Sequence, residues 1–280
     1  MSDPYVLDCH HHYGTLVLST GHRTASIEAA QRDPAEHETR VGRLRAAEID
    51  AAIVMPINRY LRPEGVKDTQ RVNDDVAAYR DADPVNFPLA VGISEPLHGD
   101  AALDEIARID ESLGMIGVSY HTRWQGVATD DPLVLRGLAE VQNRRMLAFV
   151  HAWHESMMEA PFMLCHLAET FPDLPIIVTD ALSSNVQTQQ LMRNARQFPN
   201  LHFDTSCSWN IRVIERWVDT LGSDQLVFGT DTYSAHMVTM CYPRLIREVV
   251  SEQDAEKILH RNLERLIAWT GRPYARPAKG

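Results

Sequence analysis

Cysteine is scarce in this chain: four residues in 280, at 9, 165, 207 and 241, with no C-x-x-C pair among them. Thiols so scattered exclude a zinc knuckle and a disulfide frame, and read as reduced, buried side chains. Lysine is scarcer still, at 67, 257 and 279 only, with arginine supplying the rest of the 27 basic residues. Against 38 acidic residues this leaves a formal charge of −11. Nucleic acids and anionic membranes are polyanions, so neither is expected as a partner. No apolar run approaches the roughly 18 residues needed to cross a bilayer. The opening MSDPYVLD has neither a basic nor an apolar leader segment, which makes the cytoplasm the expected location. Also missing are a G-x-G-x-x-G after the first apolar run and a G-x-x-x-x-G-K-[ST] anywhere, so phosphate-cradling nucleotide folds lack their signature.

What is present is a rhythm. Short, β-branched apolar runs recur at 5–12, 50–57, 87–95, 115–121, 146–152, 175–181, 201–207 and 225–231. Amphipathic stretches alternate with them at 101–113, 132–145, 160–171, 186–198, 210–221, 242–250 and 252–269. Asp130 and Asp131 before Pro132, and Asp254 in the last stretch, are candidate helix caps. Near-continuous apolar strands between helices indicate a parallel sheet buried on both faces. Eight such units over this length predict an α/β fold, a single (β/α)8 TIM barrel spanning 1–270, with an open doubly wound sheet as the structural alternative. Residues 14–38 are polar and long for a strand-to-helix connection, and read as an active-site loop. The tail 271–280 (GRPYARPAKG) reads as disordered.

Active sites of such barrels lie at the C-terminal strand ends, so polar residues there are the candidates. The first strand ends in YVLDCHHHYG. Strand side chains alternate, so His10 and His12 share a face and can meet one metal ion, whereas His11 should face the helices. Asp8 has the parity of His10 and His12 but lies deeper, and reads as a support for a ligand imidazole. His121, His151, Asp180 and Asp231 end strands 4, 5, 6 and 8. His166 lies in a helical pattern and is not a candidate. Three of the five tryptophans follow strand ends, Trp124, Trp153 and Trp209, as do Arg59, Tyr60, Arg123, Tyr233 and His236. Such residues are common barrel-rim packing. Together they also suit a pocket for a planar or cyclic organic anion whose carboxylate or enolate an arginine fixes.

LDCHHHYG, FPDLPIIVTDA, LVFGTD and DAEKILHRNLERL, with its Asn262, resemble the amidohydrolase superfamily over most of the chain, in the amidohydrolase-related branch. That branch includes hydrolases and the aminocarboxymuconate-semialdehyde and γ-resorcylate decarboxylases. The resemblance implies a metal site at the C-terminal strand ends with His10, His12, His151 and Asp231 as ligands of one divalent ion. The donor set suits Zn²⁺, with Mn²⁺ or Fe²⁺ as alternatives. No lysine ends strands 4 to 6, which disfavours a bridging carboxylated lysine and a binuclear site. The sequence departs from the pattern at strand 6, where the branch usually places a histidine and this chain has Asp180. Asp180 then acts as an acid/base or substrate anchor, or caps the next helix.

These readings lead to three functions. The first is a hydrolase, in which metal-activated water attacks an amide, lactone or activated C–C bond, with Asp231 taking the water's proton and His121 or Asp180 assisting. The second is a non-oxidative decarboxylase of a ring or dienoate carboxylate, placed lower because the strand 6 histidine is missing. The third is a non-catalytic metal- or ligand-binding barrel. The expected partner is a small molecule held by Arg59, Arg123, Trp124, Trp153 and Trp209; a homodimer is the fold-level expectation.

Overall fold

A computed structural model describes residues 5–13, 34–57, 62–233 and 239–277, without the side chains of 34–36 and 233. Strands and helices alternate in the order β1 Leu7–Tyr13, α1 Pro34–Ala46, β2 Ala51–Pro56, α2 Val66–Ala82, β3 Leu89–Ile93, α3 Asp100–Glu111 and β4 Gly117–Tyr120. They continue through α4 Thr122–Gln125, α5 Pro132–Asn143, β5 Leu147–His151, α6 Met163–Thr170, β6 Ile176–Thr179, α7 Asn185–Gln197 and β7 Leu201–Asp204. Then come α8 Arg212–Leu221, β8 Leu226–Val227, a short β9 Thr232–Tyr233, α9 Pro243–Val249, α10 Glu252–Glu256 and α11 Asn262–Trp269. A π turn over Lys257–Arg261 joins the last two helices.

All pairings are parallel, in the order β8-β7-β6-β5-β4-β3-β2-β1-β9. Since β9 follows β8 directly in the chain, the sheet closes on itself apart from one short seam. There the Cys9 amide donates to the Phe228 carbonyl at 2.9 Å. This is the expected (β/α)8 barrel. Two apolar layers fill it. Leu7, Cys9, Ile53, Met55, Val91, Leu147, Phe149, Ile177 and Val227 form the barrel interior, and the alternate residues, such as Val54, Val118, Val150, Val178 and Phe203, pack under the helices. The alternation that makes a strand also builds both layers.

One irregularity in β1 decides the site. Asp8 pairs with Ala52 but His11 with Val54, so β1 carries one residue more than β2 over this step. Such a bulge reverses which face later residues occupy. Leu7 opposes the inward side of β2 at Ala51 and His12 opposes inward Met55, while Asp8 and His11 oppose outward Ala52 and Val54. Uninterrupted alternation from Leu7 would have sent His12 to the helices.

Local chemistry sets the helix starts. Asp131 caps α5, accepting from the Leu133 amide at 2.8 Å ahead of Pro132. At α10 the cap is Ser251, which accepts from the Asp254 amide and whose hydroxyl donates to the Asp254 carboxylate. The sequence reading had given Asp254 the capping role. Residues 34–38 are helical, so of the expected active-site loop 14–38 only 14–33 remain, outside the described residues. Residues 271–277 have no regular structure, yet Tyr274 shares a 2.7 Å hydrogen bond with Tyr5, and Arg276 pairs with Glu264 at 2.6 Å. No described helix is long and apolar enough to cross a membrane.

Candidate metal centre and barrel mouth

The bulge, together with the ends of β7 and β8, brings His10, His12 and Asp231 into one buried group. The two Nε2 atoms stand 2.9 Å apart, and Asp231 Oδ1 lies 3.5 Å from that of His10 and 3.2 Å from that of His12. Both rings are oriented from behind. His10 Nδ1 donates to Asp204 Oδ2 at 2.7 Å, and His12 Nδ1 donates to the Pro56 carbonyl at 2.8 Å. With Nδ1 protonated, each Nε2 presents a lone pair to the other and to Asp231 Oδ1, which has no hydrogen-bond partner among the described residues. Two ring nitrogens and a carboxylate oxygen crowded together in a buried space suit a cation between them. Oriented imidazoles backed by a carboxylate and a carbonyl are the usual support for metal ligands, so these residues fit a divalent ion. The surroundings of His10 are strongly negative and favour positive charge there, on the ring or on a bound ion. Burial opposes charge on His10, but the hydrogen bond to Asp204 and the charges of Asp231, Asp204 and Asp180 outweigh it and push the imidazole up to about 10. Burial lowers His12 below its ordinary value, against the pull of Asp231.

Asp180 does not stand alone at the end of β6. Its Oδ2 pairs with His151 Nε2 at 2.8 Å, and its Oδ1 accepts from the Ser206 hydroxyl at 2.9 Å. Ser206 also donates to Asp204, which links Asp180 to the carboxylate behind His10. Burial works against ionisation of Asp180, yet His151 and His10 hold it well below the ordinary carboxylate range. It is therefore an ionised carboxylate. Asp180 also offers a ligand atom within 4.8 Å of others on Cys207 and Asp231. All three of these residues have left-handed backbones, with φ of 58°, 51° and 49°, a conformation that costs about 1–3 kcal/mol per non-glycine residue. Plain alternation from outward Val178 would aim Asp180 at the helices; the positive φ turns its carboxylate back over the strand end. Gly229 is small for a related reason, since a Cβ there would sit 2.9 Å from Asp204 Oδ2.

His151 is thus one carboxylate away from the His10–His12–Asp231 group. Its ring stacks on that of His121, with centroids 3.6 Å apart and planes 13° from parallel. Buried Glu159, from the segment after β5, lies beside both rings. His121 Nδ1 donates to its Oε1 at 2.7 Å, and His151 Nδ1 lies 3.0 Å from Oε2. Burial lowers His121 to about 3, helped by the charge of His151. For His151 burial also opposes charge, but Glu159 and Asp180 raise it to about 9. Beside this stack Arg123 lies between two indoles, its guanidinium carbon 5.3 Å from the Trp124 ring and 5.5 Å from that of Trp153. Its Nε is 3.3 Å from Glu159 Oε2.

The structure therefore gathers Arg123, Trp124 and Trp153 at the mouth with His121, His151 and Asp180. Trp209 is 63 % exposed after β7 and joins none of the ring pairs among the described residues. Arg59, Tyr60, His236 and the side chain of Tyr233 lie outside the described residues. His11 faces Phe87 and Arg40, away from the metal group, as expected. Asp8 supports no ring; turned outward by the bulge, it accepts from the Thr230 and His10 amides. The carboxylate that holds the His10 ring is Asp204, a residue that, like Glu159, Ser206 and Cys207, the sequence pattern does not single out as a site group. DTSC at the end of β7 was a findable signal for three of them, whereas Glu159 sits in a loop with none.

The family model described as amidohydrolase matches residues 7–268. No curated protein sequence matches the chain. Among solved structures it is similar to a dihydroxybenzoic acid decarboxylase from Polaromonas sp. JS666 with bound manganese and 2-nitroresorcinol. That match has a TM-score of 0.70 at 16% identity, over 96% of this chain and 98% of that one. The 5-carboxyvanillate decarboxylase of Sphingomonas paucimobilis matches at TM-score 0.69 and 14% identity, over 95% and 99%. The 4-oxalomesaconate hydratase of Rhodopseudomonas palustris matches at TM-score 0.69 and 13% identity, over 95% and 96%.

Proposed function

The chain belongs to the amidohydrolase family, and from that premise we propose that it is a metal-dependent, non-oxidative decarboxylase of a small, planar, hydroxylated ring carboxylate. One observation carries this reading: Arg123 is held between Trp124 and Trp153 beside the His121–His151 stack and the buried acidic and imidazole groups. An arginine between two flat rings offers a cation and apolar walls, which suits an aromatic carboxylate. The kinship of fold with decarboxylases of dihydroxybenzoate and carboxyvanillate, one of them containing manganese, supports the same choice. Hydrolysis, placed first on sequence alone, moves to second. The missing strand 6 histidine that weighed against decarboxylation is offset by the pairing of His151 with Asp180, which holds a proton at that strand end.

His10, His12 and Asp231 would hold the ion with Asp180 as the fourth donor; His151, a ligand in the family resemblance, would instead keep the proton on its Nε2. When bound, a divalent ion there would grip oxygens of the substrate and stabilise negative charge building on it. Arg123 would pair with the substrate's anionic group while Trp124 and Trp153 sandwich the ring and keep water away. The proton shared along the 2.8 Å His151–Asp180 contact would go to the ring carbon that bears the carboxylate. The bond to that carboxylate then breaks, its electron pair restores the ring, and CO₂ leaves. The second reading is favoured by Asp231 Oδ1, which has no hydrogen-bond partner among the described residues and lies beside two oriented imidazoles, as a base accepting a water proton would.

Purified protein loaded with Mn²⁺ or Zn²⁺ and incubated with 2,6-dihydroxybenzoate and 5-carboxyvanillate tests the reading. Decarboxylation releases CO₂ and, in D₂O, leaves one deuterium on the product ring. In ¹⁸O-water it puts no label into the organic product, whereas hydrolysis does. Absence of CO₂ from a panel of hydroxybenzoates with a metal-loaded protein would refute the decarboxylase.

A further inference from the structure

The geometry points to Glu159 as a positioning residue that sets the tautomer of His121 at the mouth and anchors Arg123 between its indoles. Glu159 is 1 % exposed, lies outside every regular element, and is reached by four groups from two strand ends. His121 Nδ1 is 2.7 Å from Oε1, the Arg123 amide donates to Oε1 at 3.1 Å, His151 Nδ1 is 3.0 Å from Oε2, and Arg123 Nε is 3.3 Å from Oε2. A carboxylate is acceptor-only, so every neighbour must present a proton to it. The His121 ring, hydrogen-bonded through Nδ1, is thereby committed to carrying hydrogen there, which leaves its Nε2 for the mouth; His151 Nδ1 lies close to Oε2 without a hydrogen bond, and its Nε2 meets Asp180. A second cation among His121, His151 and Glu159 is the competing use of this group. The Arg123 guanidinium already supplies positive charge there and disfavours it. Two further contacts place the carboxylate: the Trp153 amide donates to the Glu159 carbonyl at 3.0 Å, and the Thr129 amide donates to the Met158 carbonyl at 2.8 Å.

This hold on the ring is independent of which molecule is bound, whereas its effect on turnover rests on the decarboxylase reading. The test therefore reads the ring directly. Long-range ¹H–¹⁵N correlation spectra of the full-length, Zn²⁺-treated protein report whether each histidine carries hydrogen on Nδ1 or Nε2. In wild type, His121 is expected to be protonated at Nδ1. Glu159→Leu fills similar space but offers no acceptor, so nothing holds hydrogen on Nδ1 and His121 should shift towards Nε2–H. Thr129→Val removes a hydroxyl hydrogen bond to the same segment without touching the carboxylate, and should leave His121 as in wild type. The assignment is overturned by a wild-type His121 protonated at Nε2 alone, by a His121 in Glu159→Leu unchanged from wild type, or by Thr129→Val reproducing the shift. The wild-type spectrum decides even where a variant does not fold, and it decides regardless of whether CO₂ is released from any hydroxybenzoate.

Discussion

Replacing Asp204 by asparagine tests the metal centre at its support. Asp204 is fully buried, and each of its oxygens is already committed. Oδ2 takes His10 Nδ1 at 2.7 Å, while Oδ1 takes the Ser206 amide at 3.3 Å and the Ala181 amide at 3.4 Å. Asparagine has one acceptor oxygen and one NH₂. Whichever way it turns, a buried N–H meets another N–H, a mismatch worth about 1–3 kcal/mol. If the NH₂ faces His10, the ring must move its hydrogen to Nε2, the atom that should bind the ion. Losing such a support typically weakens metal affinity by about 10–100-fold, or about 1.4–2.8 kcal/mol. The assay is calorimetric or chelator-competition titration of Mn²⁺ and Zn²⁺ into wild type and Asp204→Asn. Thermal melts of both proteins in chelator separate the stability loss from the affinity loss. Binding by Asp204→Asn within about threefold of wild type would refute the reasoning, because Nε2 of His10 would then not depend on what holds Nδ1.

Arg123→Lys keeps the charge but loses the flat group that stacks between Trp124 and Trp153; KM for an aromatic carboxylate should rise about tenfold with kcat changed less, as steady-state kinetics would show. Gly137→Ala would drive a methyl group into the Tyr120 hydroxyl, destabilising by about 1–3 kcal/mol in thermal denaturation; adding Tyr120→Phe should restore most of it. Burial opposes ionisation of Glu264, but His260 and Arg276 hold its pKa at about 2 against an ordinary 4.5. A depressed carboxylate contributes stability that is present above 4.5 and lost as pH falls towards about 2. The melting temperature of wild type should therefore fall more steeply across that window than that of Glu264→Gln.

Much of the architecture could be read from local pattern, because a strand's period of two and a helix's of 3.6 are properties of short segments. The apolar runs became β1 to β8 with ends moved by at most four residues, and the split of His10 and His12 from His11 follows from alternation alone. Alternation failed at Asp8, since a single bulged residue between Asp8 and His11 reverses the face and leaves no mark in composition. Past the strand ends alternation gives no guide, and positive φ redirects the side chains of Asp180 and Cys207.

What the sequence by itself determined is the barrel, the strand ends that carry polar groups, and the residue types available to meet a metal. Which of those groups touch was decided only by closure. His10 and its partner Asp204 are 194 residues apart, and Glu159, from a loop without any motif, joins the ends of β4 and β5. Hydrogen bonds and ion pairs act over about 3 Å through space, so the partner of each imidazole becomes defined only when the eight strand ends are packed into one ring.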